Sequence, residues 1–267
     1  MTNHLIDIGV NLTNKRFDKD RREVLVRAKA QGVAKLLLTG TSVTESQRSL
    51  DLCYEYQQEF PHTLYTTAGV HPHDADNVDS DYLDQLTQLA SQEQVKAIGE
   101  CGLDFNRNFS APAQQRAVFK AQISLAAQLN MPLFLHQRDA FESWFDLLKP
   151  YIGKVPAMVS HCFTGNKREL EQCLAADMYI GITGWLCDER RGQELRDIVS
   201  LIPLDRLLIE TDAPYLTPRT IKPRPKSSRN EPSYLSYVIQ QLSVLTAIDP
   251  NDIACQTSAN AEKIFNL

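Results

Sequence analysis

The sequence predicts an α/β fold, a single (β/α)8 TIM-type barrel over residues 1–267. Three observations carry that expectation. Eight short apolar runs recur at fairly even intervals, helical signals fill the segments between them, and the length suits eight such units in one domain.

The runs are LIDIGVNL (5–12), KLLLTG (35–40), LYTTAGVH (64–71), KAIGEC (96–101), PLFLHQ (132–137), AMVSHC (157–162), YIGITG (179–184) and RLLIET (206–211). Short apolar, β-branched runs of this kind suit strands buried in a parallel sheet. Between them, TESQRSL (44–50) opens with a Thr-x-x-Gln capping box, and Leu83, Leu86, Leu89 and Ala90 share one helical face. Leu235, Val238, Ile239, Leu242 and Leu245 do the same near the C-terminus. An open doubly wound sheet is the main rival, but no Gly-rich dinucleotide fingerprint follows the first run. No linker, repeat or low-complexity tract divides the chain, so one domain is expected.

Composition narrows the function. The chain is 43% hydrophobic and 23% charged, with a net charge of -5, which argues against a passive nucleic-acid coat or an anionic-membrane binder. The six cysteines include no C-x-x-C pair, a pattern that suits reduced thiols better than a disulfide scaffold or a Cys-rich zinc site. No secretory signal and no bilayer-length apolar stretch is evident, so a cytoplasmic protein with no membrane partner is expected, and a monomer is the expected state.

In such a barrel the active site lies at the C-terminal strand ends. Those ends carry Asn11, His71, His73, Glu100, His136, His161 and Asp212. A lone histidine at a strand end is more often structural than a ligand. Several ligand-type residues on one rim are hard to explain as independent accidents, and imidazole plus carboxylate suits a divalent cation. Glu100 sharpens the point, because a carboxylate closing a buried strand needs a proton, a partner or a metal. Cys101 and Cys162 follow Glu100 and His161 directly and should face the other way. Glu210 shares parity with Asp212 and is expected to be structural.

The segments GVHPHD (69–74), IGECGLDF (98–105), HCFTG (161–165), GITGWLCDERRG (181–192) and IETDAPYLTP (209–218) resemble the TatD family of metal-dependent deoxyribonucleases along nearly the whole chain. The resemblance implies a metal-dependent 3'-5' exonuclease acting on single-stranded DNA, with RNA as a second polymer, in DNA repair or nucleic-acid turnover. It implies Glu100, His136 and His161 as metal ligands, and Asp212 as a ligand of a weaker ion or the catalytic base. Where the wider family carries His-x-His on its first strand, this chain has Gly9 and Asn11. One tightly held ion is therefore expected, Mg2+ first and Mn2+ or Zn2+ next, with a second ion weaker.

His71 and His73 are candidates to contact phosphate or protonate the leaving group. Arg138 stands close enough to His136 in sequence to reach phosphate, and the role of Asp104 stays open. The stretch 218–230 holds Arg219, Lys222, Arg224, Lys226 and Arg229 with no acidic residue, so it is expected to lie beside the metal and guide a phosphate backbone. Phe105, Phe163, Trp185 and Tyr215 are aromatics that either stack on bases or pack inside. Two rivals remain: a small-molecule amidohydrolase or esterase on the same barrel, and a barrel kept as a scaffold.

Overall fold

In the computed structural model, which describes residues 4–267, eight parallel strands follow chain order in one sheet. They are β1 (Leu5–Val10), β2 (Val33–Leu38), β3 (Leu64–Ala68), β4 (Val95–Asp104), β5 (Leu133–Arg138), β6 (Met158–Ser160), β7 (Tyr179–Ile182) and β8 (Leu207–Ile209). The α-helices are α1 (Arg21–Ala30), α2 (Val43–Glu55), α3 (Tyr82–Ala90), α4 (Pro112–Leu129), α5 (Phe141–Leu148), α6 (Lys167–Ala175), α7 (Gln193–Ile198), α8 (Leu235–Thr246) and α9 (Pro250–Phe265). This alternation is the (β/α)8 barrel that the sequence predicts, and each expected run overlaps one strand.

The strands stop earlier than several runs suggest. β3 ends before His71, β6 before His161 and β8 before Asp212, so these polar residues sit on the loops that follow. The capping box is also displaced. Ser42, not Thr44, caps α2, its hydroxyl accepting the Glu45 N–H at 3.1 Å.

By backbone contacts the chain divides into two compact units, the first through 4–38, 162–263 and 267, the second through 39–161 and 264–266. In the first, β1 pairs with β2, β7 pairs with β8, and Val10 bridges to Ala213. Every residue of β1 is buried, as are Leu36, Leu37 and Leu38 in succession, the mark of strands covered on both faces. Asp7 lies within this apolar set. Its Oδ1 accepts the Thr211 and Gly9 N–H groups at 2.9 and 3.3 Å, and Oδ2 stands 2.5 Å from the Thr211 hydroxyl. Burial pushes its carboxyl up to about 8 despite those bonds.

In the second unit, β3 to β6 pair in sequence around Ile98, Phe134, Leu135 and Val159. Helix α4 lies against β4 and presents two buried amides seven residues apart, hence on one face. Gln115 accepts the Asp104 N–H at 2.9 Å and donates to the Asp104 and Ser110 carbonyls at 3.1 and 2.8 Å. Gln122 accepts the Val70 N–H at 2.8 Å and donates to its carbonyl at 3.0 Å. Each glutamine thus substitutes for a missing ladder partner at a strand end.

Two outcomes are expected. In Gln122→Leu, Val70 loses both partners, and an unmet buried group costs about 1–3 kcal/mol. Urea unfolding should show a loss of about 2–4 kcal/mol, and an unchanged midpoint would contradict the clamp. For Asp7, the unfolded chain releases its proton near pH 4 while the folded chain keeps it up to about 8. That contribution to stability is complete below the lower value and declines as pH rises toward the upper one. Asp7→Asn, neutral throughout, should gain stability relative to the parent by up to about 1.4 kcal/mol per pH unit across that window. Parallel stability curves would refute the assignment.

Candidate metal centre

Glu100 is presented by a break in its own strand. The pairing of β4 with β5 shifts between Gly99 and Cys101, and the Glu100 N–H leaves that ladder to donate to the Gly40 carbonyl at 2.7 Å. Such a bulge redirects a side chain. The flanking glycines allow it. Gly99 and Gly102 have φ of +144° and +154°, and a Cβ at Gly102 would stand 1.8 Å from the His136 carbonyl oxygen.

Three imidazole nitrogens surround one oxygen of this carboxylate. Glu100 Oε1 lies 2.9 Å from His136 Nδ1, 3.4 Å from His71 Nε2 and 3.5 Å from His161 Nε2. Burial opposes the Glu100 charge, but His71 and His161, with the bond from His136, hold its pKa well below the usual carboxylate range. His161 is fixed by its N–H to the Leu135 carbonyl at 3.0 Å and by the Phe134 ring, 4.6 Å between centroids.

This donor set fits a divalent cation. Ligands held about 2.1 Å from one ion stand roughly 3.0–3.4 Å apart, close to the spacings around Oε1. Among the described residues, His71, Glu100 and His136 form a group whose ligand atoms all lie within 4.8 Å of one another. His136 Nε2 is buried without a hydrogen-bond partner, 3.6 Å from Asp104 Oδ2, a vacancy in bonding that a cation-bound ring or a substrate oxygen relieves. His71 differs from the other two. Its Nδ1 accepts the His73 N–H at 3.0 Å, which leaves the proton of the neutral ring on Nε2, and burial pushes its pKa down to about 4. With an ion bound, Glu100, His136 and His161 would offer lone pairs, His136 at Nδ1 with its proton on Nε2 toward Asp104, while His71 offers a donor.

Asp104 acquires a definite place. Its Oδ2 meets His73 Nε2 at 2.6 Å, and its Oδ1 accepts the Asn106 and Arg107 N–H groups at 3.0 and 2.9 Å. It orients one histidine and faces a second. Sequence alone leaves this role open and assigns none to Gln115 or Gln122. The available signal was their seven-residue spacing among Val118, Phe119 and Ile123.

The remaining expected residues are placed as follows. Asp212 lies in the first unit, half-buried with φ of +53°, and its Oδ1 accepts the Asn11 side-chain N–H at 3.0 Å. Glu210 accepts the Cys162 N–H at 2.6 Å, a structural bond. Arg138 ends β5 exposed, two residues beyond His136, and Lys222 and Arg224 are exposed as well. Two charges of the basic loop have acidic partners. Arg219 forks onto Glu189 at 2.9–3.2 Å, and Arg229 binds Asp20 and Glu231 at 2.6–2.7 Å. Acidic residues outside 218–230 therefore engage both charges, which composition within the loop cannot reveal. Of the other aromatics, Phe163 is buried, Trp185 lies under Arg191 at 4.4 Å, and Tyr215 is exposed with its hydroxyl accepting the Asn14 side-chain N–H.

Comparison with known proteins bears on this site. A family model described as TatD related DNase matches residues 6–266. A protein of Erwinia tasmaniensis named 3'-5' ssDNA/RNA exonuclease TatD is 52% identical, covering 98% of this chain and 100% of its own length. A protein of the same name from Pectobacterium atrosepticum is 51% identical over the same shares. A crystal structure of a TatD family hydrolase from Entamoeba histolytica superposes with a TM-score of 0.90 at 28% identity, covering 99% of each chain. The Escherichia coli TatD homolog YJJV gives 0.88 at 28%, covering all of both chains. With its barrel and its buried Glu100 ringed by histidines, the chain belongs to the TatD related DNase family.

Proposed function

We propose that this protein is a metal-dependent 3'-5' exonuclease that hydrolyses phosphodiester bonds of single-stranded DNA, with RNA as a second substrate. The observation that carries the reading is the Glu100 carboxylate oxygen with three imidazole nitrogens within 3.5 Å. The name shared by relatives at about half identity supports the choice of polymer and direction. Mg2+ is the proposed ion, with Mn2+ or Zn2+ able to replace it, held by Glu100, His136 and His161.

Such an ion lowers the pKa of a bound water and polarises a phosphate oxygen. The chain's own residues supply the rest. Neutral His71 directs its Nε2 proton into the site, where a phosphate or leaving oxygen is the acceptor. His73, held by Asp104, stands beside it, with 4.3 Å between ring centroids. Asp212, steadied by Asn11, is the proposed base or a ligand of a weaker ion. Arg138, Lys222 and Arg224 are proposed to attract the phosphate backbone, while Arg219 and Arg229 keep their carboxylate partners. Cytoplasmic nucleic-acid turnover or repair is the setting that suits this chemistry.

The test uses 5'-labelled single-stranded DNA and metal-stripped protein. With Mg2+ restored, a ladder shortening from the 3' end is expected, and Glu100→Gln should abolish it, a loss of at least about 100-fold for a buried ligand. No shortening with Mg2+, Mn2+ or Zn2+ would overturn the reading and return the small-molecule amidohydrolase to first place.

A further inference from the structure

We propose that Phe109 is a stacking platform for an unpaired nucleobase at the edge of the metal centre, with Arg107 holding the adjoining phosphate. This rests on the nuclease reading above and names how that site would grip its polymer.

Phe109 is 64% exposed, a large apolar ring left in water. It is also tied to the site. Its ring meets His73 edge to face, 4.8 Å between centroids, and His73 in turn binds Asp104. The Arg107 guanidinium lies 5.9 Å from the Phe109 centroid and has no carboxylate partner among the described residues.

The loop that carries this ring is braced along its length. Asp104 Oδ1 holds the amides of Asn106 and Arg107, and the Asn108 side chain donates to the Phe105 carbonyl at 2.8 Å while its φ is +48°. Ser110 donates to the His73 carbonyl and accepts the Asp76 N–H, both at 3.0 Å. A ring that only needed shelter would turn inward from a slack loop, whereas this loop is fixed with the ring outside. Every base has an apolar face, so an exposed aromatic selects for unpaired bases without reading sequence. An arginine beside that ring meets the charge that accompanies each base. Bases paired within a duplex have both faces covered, so the platform also provides a preference for single strands.

The test compares kcat/KM for 3'-end shortening by the wild type, Phe109→Ala and Phe109→Trp. One oligonucleotide carries normal bases, and its twin carries abasic sites at the last two 3' positions. On the normal strand Phe109→Ala should lose about 5- to 100-fold, the range of one lost base–aromatic contact, and Phe109→Trp should retain activity. On the abasic strand the difference between wild type and Phe109→Ala should vanish. Being exposed, the alanine variant should melt with the wild type, so a folding defect is separable. An equal loss on both strands would overturn the proposal in favour of a ring that merely shields His73. So would unchanged activity of Phe109→Ala on the normal strand, while the nuclease reading stands. A wild type that shortens neither strand would overturn both.

Discussion

A buried carboxylate among imidazoles is the constraint from which the rest of this site follows. Glu100 is 6% exposed, and a charge so placed must be stabilised by its surroundings. Histidines at 2.9–3.5 Å do this in part, but three ring nitrogens converging on one oxygen are not three good hydrogen bonds. The spacings of His136 and His161 from that oxygen, 2.9 and 3.5 Å, are close to those of ligands sharing an ion. The bulge at Glu100, the glycines on either side of it and the Gly40 carbonyl that takes its N–H all serve to aim this one side chain.

Around that centre, orientation is set by two buried glutamines and one carboxylate. Gln115 fixes the end of β4 and so Asp104, which fixes His73. Gln122 fixes Val70, next to His71. The His73 amide in turn sets which nitrogen of His71 carries the proton. Buried amides and the Asp104 carboxylate thus hold His71 and His73 in place, as outer partners do at many metal sites.

The barrel was legible because its signals are local and repeated. Buried runs such as KLLL and PLFLH can hardly be anything but strands when helix-patterned segments separate them. Glu100, His136 and His161 were legible because each closes such a run. Strand ends were less so, since a polar residue may leave the ladder one or several positions early, as before His71 and Asp212. The basic stretch 218–230 misled for a different reason. Asp20 and Glu189 are distant from it in sequence, and a pairing between distant segments leaves no trace in the composition of either, while Glu231 stands one residue past its end. Phe109 is not legible in the sequence, because exposure of an aromatic is a property of the fold, not of its neighbours in the chain.

Titration of metal-stripped protein with Mn2+, followed by calorimetry, addresses the central claim most directly. One tightly bound ion per chain is expected for the wild type, with affinity lost in Glu100→Gln and in His136→Ala but largely kept in His71→Ala, whose ring donates a proton. Undiminished binding by Glu100→Gln would contradict the account, because the carboxylate would then be buried for some other reason.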